Sequence, residues 1–117
     1  MHRIELIVQK GVYMEYADNI YISKEINDKK TNKIFRKLKR RKHIRDVYFL
    51  TCIEESKNPM EILLSTELYR LEDKGNDILI IGIAKGRDNA FELVRDIYDD
   101  VYTSSSTVNL KSYFKTS

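Results

Sequence analysis

Basic residues are the ones whose types and spacing suggest chemistry in this 117-residue chain. Ten Lys or Arg side chains lie within residues 29–45, and no acid interrupts them. Side chains of this kind neutralise the phosphates of a nucleic acid and release its counterions, which makes binding steeply dependent on salt. The contacts that we predict for phosphates, or for an acidic protein partner, are made by Lys33, Arg36, Lys37, Lys39, Arg40, Arg41, Lys42 and Arg45.

The remainder of the chain carries the opposite charge. Residues 1–45 hold 13 Lys or Arg and 5 Asp or Glu, net +8, whereas residues 46–117 hold 8 and 13, net −5. This asymmetry indicates contact with nucleic acid, with a membrane surface or with a complementary protein. A membrane-surface helix is disfavoured because the chain has no Trp and the apolar face of the basic segment is narrow.

Side chains that read bases are missing from the basic segment. Phe35 is expected in the core, and Asn32 lies away from the densest part of the run. Binding to nucleic acid through this segment is therefore predicted to be independent of base sequence. The alternative hypotheses are a protein contact and a solvated helix face that keeps the protein in solution.

A row of acids offers a complementary surface. Asp96, Asp99 and Asp100 lie in the second half of the last predicted helix, where the helix macrodipole disfavours negative charge. Their placement suggests that this acidic face pairs with the basic segment, either within the monomer or on another copy. The sequence therefore also supports a homo-oligomer without catalytic activity.

A second candidate site lies at the ends of predicted strands, because ligands bind beyond the carboxyl ends of parallel strands. One such end is basic and precedes a predicted helix start, which suits an anion, and its glycine permits close backbone approach. The candidate residues are Glu54, Lys85, Gly86, Arg87 and Asn89. An ordinary strand-to-helix turn, capped by Asp88 or Asn89, explains the same residues.

The chain lacks the usual signatures of catalysis. It has neither a GxGxxG motif nor a P-loop, and its two histidines, His2 and His43, are not paired with other metal-ligating residues. The only cysteine, Cys52, is interpreted as a small apolar residue of a central strand. We therefore predict no catalytic residue, no metal and no cofactor, with an enzyme at the strand ends as the remaining alternative.

Hydrophobic periodicity predicts the elements that position these groups. Alternation over residues 3–9 and 12–22 predicts a β-hairpin, with a bulge or second turn at Asp18-Asn19. Ser23 is the predicted N-cap of a helix that runs to about Lys42, or that stops near Arg41, where its apolar stripe gives way to charge. The basic segment is thus expected to be helical along most of its length.

The next segments predict a sheet that is covered on both faces. Residues 46–55 and 78–84 are apolar on both faces, as in buried strands. Residues 60–71 fit a helix, although a short strand at residues 62–64 stays open. Two apolar strands joined through a helix predict a right-handed parallel βαβ unit.

The last part of the chain predicts a helix and a tail. Asn89 with Glu92 forms a capping-box-like start, and residues 103–107 end the helix with a Ser/Thr run. The tail at 108–114 is apolar enough to dock on the domain or on a neighbour.

The predicted fold class is α/β with a mixed sheet of about four strands, in the order β-β-α-β-α-β-α, with helices on the sheet faces. Residues 1–103 are expected to form a single domain, followed by the tail at 104–117. A cytoplasmic location is expected, because no segment has the pattern of a signal peptide and no apolar run approaches the roughly 20 residues of a membrane span.

Overall fold

The computed structural model describes residues 14–54, 56–104, 110, 113 and 114. The predicted strand at residues 3–9, and with it the N-terminal hairpin, lies outside these residues. The described chain forms one small α/β domain with a mixed sheet, which confirms the predicted fold class. Its strands are β1 (Met14–Ile22), β2 (Val47–Ile53), β3 (Glu61–Leu63) and β4 (Ile78–Lys85), and its helices are α1 (Asp28–Lys39), α2 (Ser65–Asp73) and α3 (Arg87–Ser104).

The sheet has the strand order β1-β4-β2-β3. Strand β4 is parallel to β1 and antiparallel to β2, and the register of the second pair places Ile53 opposite Ile78 and Val47 opposite Lys85. The predicted parallel pairing of the two apolar strands is therefore wrong. A bulge or second turn was predicted at Asp18-Asn19, and the β1–β4 register does shift between Tyr16 and Tyr21, within a continuous strand.

The direction of β4 follows from the short strand β3. The chain reverses after β2, pairs antiparallel with it as β3, and only then crosses through α2 to β4. Strands β3 and β4 are both antiparallel to β2, so they run parallel to each other with β2 between them. The segment at 60–71 thus contains both structures that the sequence allowed, a strand followed by a helix.

Two apolar clusters cover the two faces of the sheet. Phe49 and Ile80 belong to the cluster beneath α1 and α2, whereas Leu50 and Ile81 belong to the cluster beneath α3. Alternate residues of β2 and β4 thus enter different clusters, which explains why both strands are apolar throughout. Helices α1 and α3 consequently lie on opposite faces.

The described part of the tail contributes to the cluster beneath α3. Leu110 and Phe114 are 2% and 3% exposed there. The ring of Phe114 meets Tyr21 of β1 edge-on, with a centroid distance of 5.9 Å. These two side chains therefore add apolar contacts to the face of the sheet that α3 covers.

Helix α1 begins later than predicted. The side chain of Asn27, the N-cap, accepts a hydrogen bond from the backbone N–H of Lys30 at 2.8 Å. Ser23 is buried and does not cap the helix, because its hydroxyl accepts a hydrogen bond from the N–H of Lys85 at 3.1 Å. The helix also ends at Lys39, before the predicted Lys42, and Arg40 is its C-cap.

Helix α3 begins at Arg87, two residues before the predicted cap Asn89. The Nδ2 atom of Asn89 instead donates to the backbone carbonyl of Lys85 at 2.7 Å. Gly86 has a φ of +81°, a left-handed conformation that glycine adopts without a steric penalty, and its carbonyl accepts from the N–H of Ala90.

Within the described residues, no helix is both long enough and apolar enough to cross a bilayer.

The corrected start of α1 predicts the effect of a single substitution. Asn27→Ala should lower the free energy of unfolding by about 1 kcal/mol, because the N–H of Lys30 loses its capping acceptor. Asn32→Ala is the matched control, since Asn32 is exposed inside the helix and alanine favours helix more than asparagine does. Urea denaturation followed by circular dichroism measures both, and equal stability of the two variants would contradict Asn27 as the cap.

Candidate nucleic-acid interface

Helix α1 turns its charged side away from the sheet. Its buried residues are Thr31, Ile34 and Leu38. Successive residues of an α-helix are rotated by about 100°, so positions 29, 33, 36 and 40 lie opposite this buried stripe. These positions hold Lys29, Lys33, Arg36 and Arg40, all four of them exposed. We call these four residues the basic row.

The loop after α1 extends the positive surface. Lys42 and Arg45 are exposed, whereas Ile44 between them is 3% exposed and anchors the loop in the core. The backbone N–H of Ile44 donates to the hydroxyl of buried Ser65 at 3.0 Å. The hydroxyl of Tyr69 donates to the carbonyl of Lys42 at 2.6 Å. The first two turns of α2 therefore hold the loop in place.

Arg41 has a structural role that its neighbours lack. Its guanidinium donates to the carboxylates of Glu72 at 2.5 Å and Asp73 at 2.8 Å, and it lies 5.0 Å from the ring centre of Tyr69. It also adopts a left-handed backbone conformation, with φ of +56°. The structure thus directs the side chain of Arg41 toward α2, whereas the sequence predicted it among the outward contacts.

Aromatic rings pack beneath this ion pair. The ring of Tyr16 packs against Phe35 with a centroid distance of 4.7 Å. Burial raises the pKa of Tyr16 to about 12, and the nearby Glu72 carboxylate acts in the same direction. Burial likewise raises the pKa of Tyr69, although the guanidinium of Arg41 opposes this change. Both hydroxyls therefore stay protonated at neutral pH.

The other predicted contacts keep their charge available. In the part of the chain that the structure describes, the only ion pairs of residues 29–45 are those of Arg41. None of the other predicted residues has a described carboxylate within ion-pair distance. Lys37 is half-buried, and the exposed ones are Lys33, Arg36, Lys39, Arg40, Lys42 and Arg45. The basic row and its loop form a positive surface on the outer side of α1 and beyond its C-terminal end.

The predicted strand-end site is not assembled as expected. Because β2 and β4 are antiparallel, Glu54 follows the end of β2 that lies beside Ile78, at the opposite end of β4 from Lys85. The backbone N–H of Glu54 donates to the carbonyl of Asp77 at 3.2 Å. Glu54 therefore cannot share a site with Lys85, Gly86, Arg87 and Asn89, which stay together at the start of α3.

A different crevice forms at the end of the sheet where β1 and β4 finish, beside the start of α3. The parallel strands β1 and β4 end side by side, and the helices that follow them cover opposite faces, the arrangement that opens ligand crevices in α/β sheets. A groove of about 280 Å³ lies there. Its charged and polar lining consists of Ser23, Lys24, Glu25, Asn89, Glu92 and Asp96. With three carboxylates and one ammonium group, the groove does not suit the anion that the sequence predicted.

Neither metal ligation nor a reactive thiol is found in the described parts of the chain. They contain no group of three or more His, Cys, Asp or Glu residues arranged to hold a metal ion. Cys52 is buried in β2 at 1% exposure, in the cluster beneath α3. The basic surface is therefore the feature with the clearest chemical use.

Comparison of the chain with protein-family models, with curated proteins and with solved structures finds no match. The case for a function therefore depends on the geometry and charge of this chain alone.

The two roles of adjacent arginines give a matched pair of variants. Arg41→Ala should destabilise the fold by about 1 kcal/mol more than Arg40→Ala, because Glu72, whose side chain is 12% exposed, loses its counter-ion. The value is modest because the side chain of Arg41 is itself 42% exposed and solvent screens the pair. Urea denaturation at low salt measures the difference, and equal destabilisation would contradict the structural role of Arg41.

The anchor of the basic loop gives a further prediction. Ser65→Ala should lower the free energy of unfolding by about 1–3 kcal/mol, because the N–H of Ile44 is left buried without its acceptor. Thr66→Ala is the control, since Thr66 is the exposed neighbour of Ser65. Amide hydrogen exchange at Ile44 should accelerate in the first variant and stay unchanged in the second. Unchanged exchange in both would show that Ser65 does not hold the loop.

Proposed function

We propose that this protein binds nucleic acid without sequence preference through the basic row of α1 and the loop that follows it. The observation that supports this proposal is a row of four exposed cations on the outer side of α1 and its C-cap, with no acid paired to any of them in the described chain. Such a row attracts a polyanion and releases its counterions on contact. The surface is therefore suited to a phosphate backbone.

The dimensions of α1 are compatible with several contacts to one strand. The helix has 12 residues and is about 18 Å long at about 1.5 Å per residue. Phosphates of one B-DNA strand are spaced by roughly 3.4 Å along the axis, so a helix of this length passes about five of them. Arg36, Lys37 and Lys39 also lie in the last turn, where the helix dipole stabilises positive charge.

The same surface offers little with which to read bases. Phe35 is occupied by its contact with Tyr16, so its ring does not stack on a base in this fold. Asn32 is the only amide side chain within α1 and lies to the side of the basic row. Lys and Arg contacts to phosphates give position and affinity but not specificity. We therefore expect similar affinity for unrelated sequences.

An acidic protein surface is the second candidate for these side chains, because a row of carboxylates complements a row of ammonium and guanidinium groups as phosphates do. The acidic outer side of α3 favours this candidate, since Glu92, Asp96 and Asp99 are all exposed. A binding measurement distinguishes the two candidates, because the nucleic-acid proposal needs only this chain and a nucleic acid, whereas the alternative needs a second protein chain.

Fluorescence anisotropy of labelled random-sequence DNA and RNA tests the proposal. The basic-row variant is Lys29→Glu/Lys33→Glu/Arg36→Glu, which leaves the Arg41 ion pairs intact. The matched control is Lys57→Glu/Lys74→Glu/Arg95→Glu, which changes the net charge equally at exposed sites outside the basic row. Circular dichroism establishes that both variants are folded.

For duplex DNA, we expect log K to fall with log salt with a slope of about −3.6 to −4.5, corresponding to about four or five phosphates neutralised at roughly 0.9 each. The basic-row variant should lose at least about tenfold in affinity at low salt and have a shallower slope, whereas the control should keep most of its affinity. Equal losses in both variants would show that binding reflects net charge alone. Absence of binding by the unmodified protein would refute the proposal.

A further inference from the structure

The outer side of α3 presents aromatic rings to solvent. Among the described residues, the exposed large apolar side chains are Phe91 and Tyr102, at 53% and 66% exposure, and both belong to this helix. Tyr98, which is half-buried, lies between them on the same side, since positions 91, 98 and 102 are aligned at about 100° per residue. We call these three residues the aromatic row. Contiguous exposed apolar patches often occur at protein contacts.

An acidic row runs beside the aromatic row. It consists of Asp88, Glu92, Asp96 and Asp99, all exposed. The last turn of α3 has no basic residue, so the carboxylate of Asp99 near that end is disfavoured by the helix dipole. Asp100 differs from the row, because it accepts a hydrogen bond from Tyr21 at 2.6 Å. The stability of α3 therefore accounts for Asp88, which lies in its first turn, but not for Asp99.

The aromatic row can also receive cations. The guanidinium of Arg87 already lies over the ring of Phe91, at 5.7 Å from its centroid. Lysine and arginine side chains bury their alkyl stems on such rings and are attracted to the ring faces. Carboxylates and aromatic rings together thus match a partner helix rich in Lys and Arg.

We propose that the outer side of α3 binds the basic row of α1 on a second copy of this chain. Within one copy the two surfaces cannot meet, because α1 and α3 cover opposite faces of the sheet. Each copy therefore offers one basic and one acidic surface, and the contact is head-to-tail. Such contacts produce rings or open chains of copies according to their geometry. Nucleic acid and a second copy compete for the basic row.

The interface between two helices is small, so association is weak and depends on charge. Static light scattering should show a mass that rises with protein concentration at low salt. The mass should return to the monomer value at about 0.5 M salt, because salt screens the attraction between the two charged surfaces. A monomer mass at every concentration in low salt would overturn the proposal.

A charge swap identifies the two surfaces. The acidic-row variant is Glu92→Lys/Asp96→Lys/Asp99→Lys, and its counterpart is the basic-row variant described above. Each variant alone should be monomeric, because its own two surfaces then carry the same charge. An equimolar mixture should associate, because each surface of one variant complements a surface of the other. A mixture that stays monomeric while the unmodified protein associates would place the contact elsewhere.

The aromatic row separates this contact from general attraction between oppositely charged proteins. Adding Phe91→Ser/Tyr102→Ser to both variants should abolish association of the mixture, although its charges are unchanged. Association that persists would overturn the role of α3, with circular dichroism establishing that the variants are folded. The measurement uses no nucleic acid, so its outcome is independent of the anisotropy experiment.

A separate experiment tests the competition for the basic row. Addition of random-sequence DNA to the associated unmodified protein should dissociate it in proportion to occupancy of the basic row.

Discussion

The structure depends on the burial of β4 between two neighbouring strands and two layers of helices. Every residue from Ile78 to Ala84 is buried, and the strand pairs with β1 on one side and β2 on the other. At Gly82, an added Cβ would lie 3.3 Å from atoms of Leu50 and Leu93, so α3 approaches the sheet as closely as the packing allows. This central strand fixes which helix lies on which face.

The separation of charge follows from that arrangement. The apolar stripe of α1 packs on one face of the sheet, which directs its lysines and arginines outward, and α3 presents its acids on the other side of the molecule. Among the described residues, the basic surface forms ion pairs only at Arg41, which α2 holds through Glu72 and Asp73. A chain that neutralised its own charge would place such acids beside the basic row. The observed positions instead leave both charged surfaces available to other molecules.

Much of the architecture could be predicted from periodicity, because long amphipathic or fully apolar segments determine their own burial. The strands β2 and β4, the bulge at Asp18-Asn19 and the helix α3 all have this kind of signal. The direction of β4 could not be predicted, because it is set by β3, whose three residues are too few to show a period. The predicted strand-end site assumed that β2 and β4 are parallel, so the wrong direction of β4 also placed Glu54 beside Lys85.

The errors at individual residues have local causes. Ser23 and Asn27 are both good N-cap types, and only the sheet contact of Ser23 with Lys85 distinguishes them. Arg41 resembles Arg40 in sequence, and its different role arises from a left-handed backbone conformation and from acids of α2 that are distant along the chain. The charge density of residues 29–45 is a property of the sequence, although Lys29 of the basic row was not among the predicted contacts.

The measurement that tests the central claim most directly is a titration of isotope-labelled protein with a short random-sequence oligonucleotide, followed by backbone amide shifts in NMR. The account predicts saturable shifts at the exposed basic residues of 29–45, with little change along the acidic and aromatic rows of α3. Shifts centred on α3 or on the groove at the end of β1, or no saturable shifts at low salt, would contradict it.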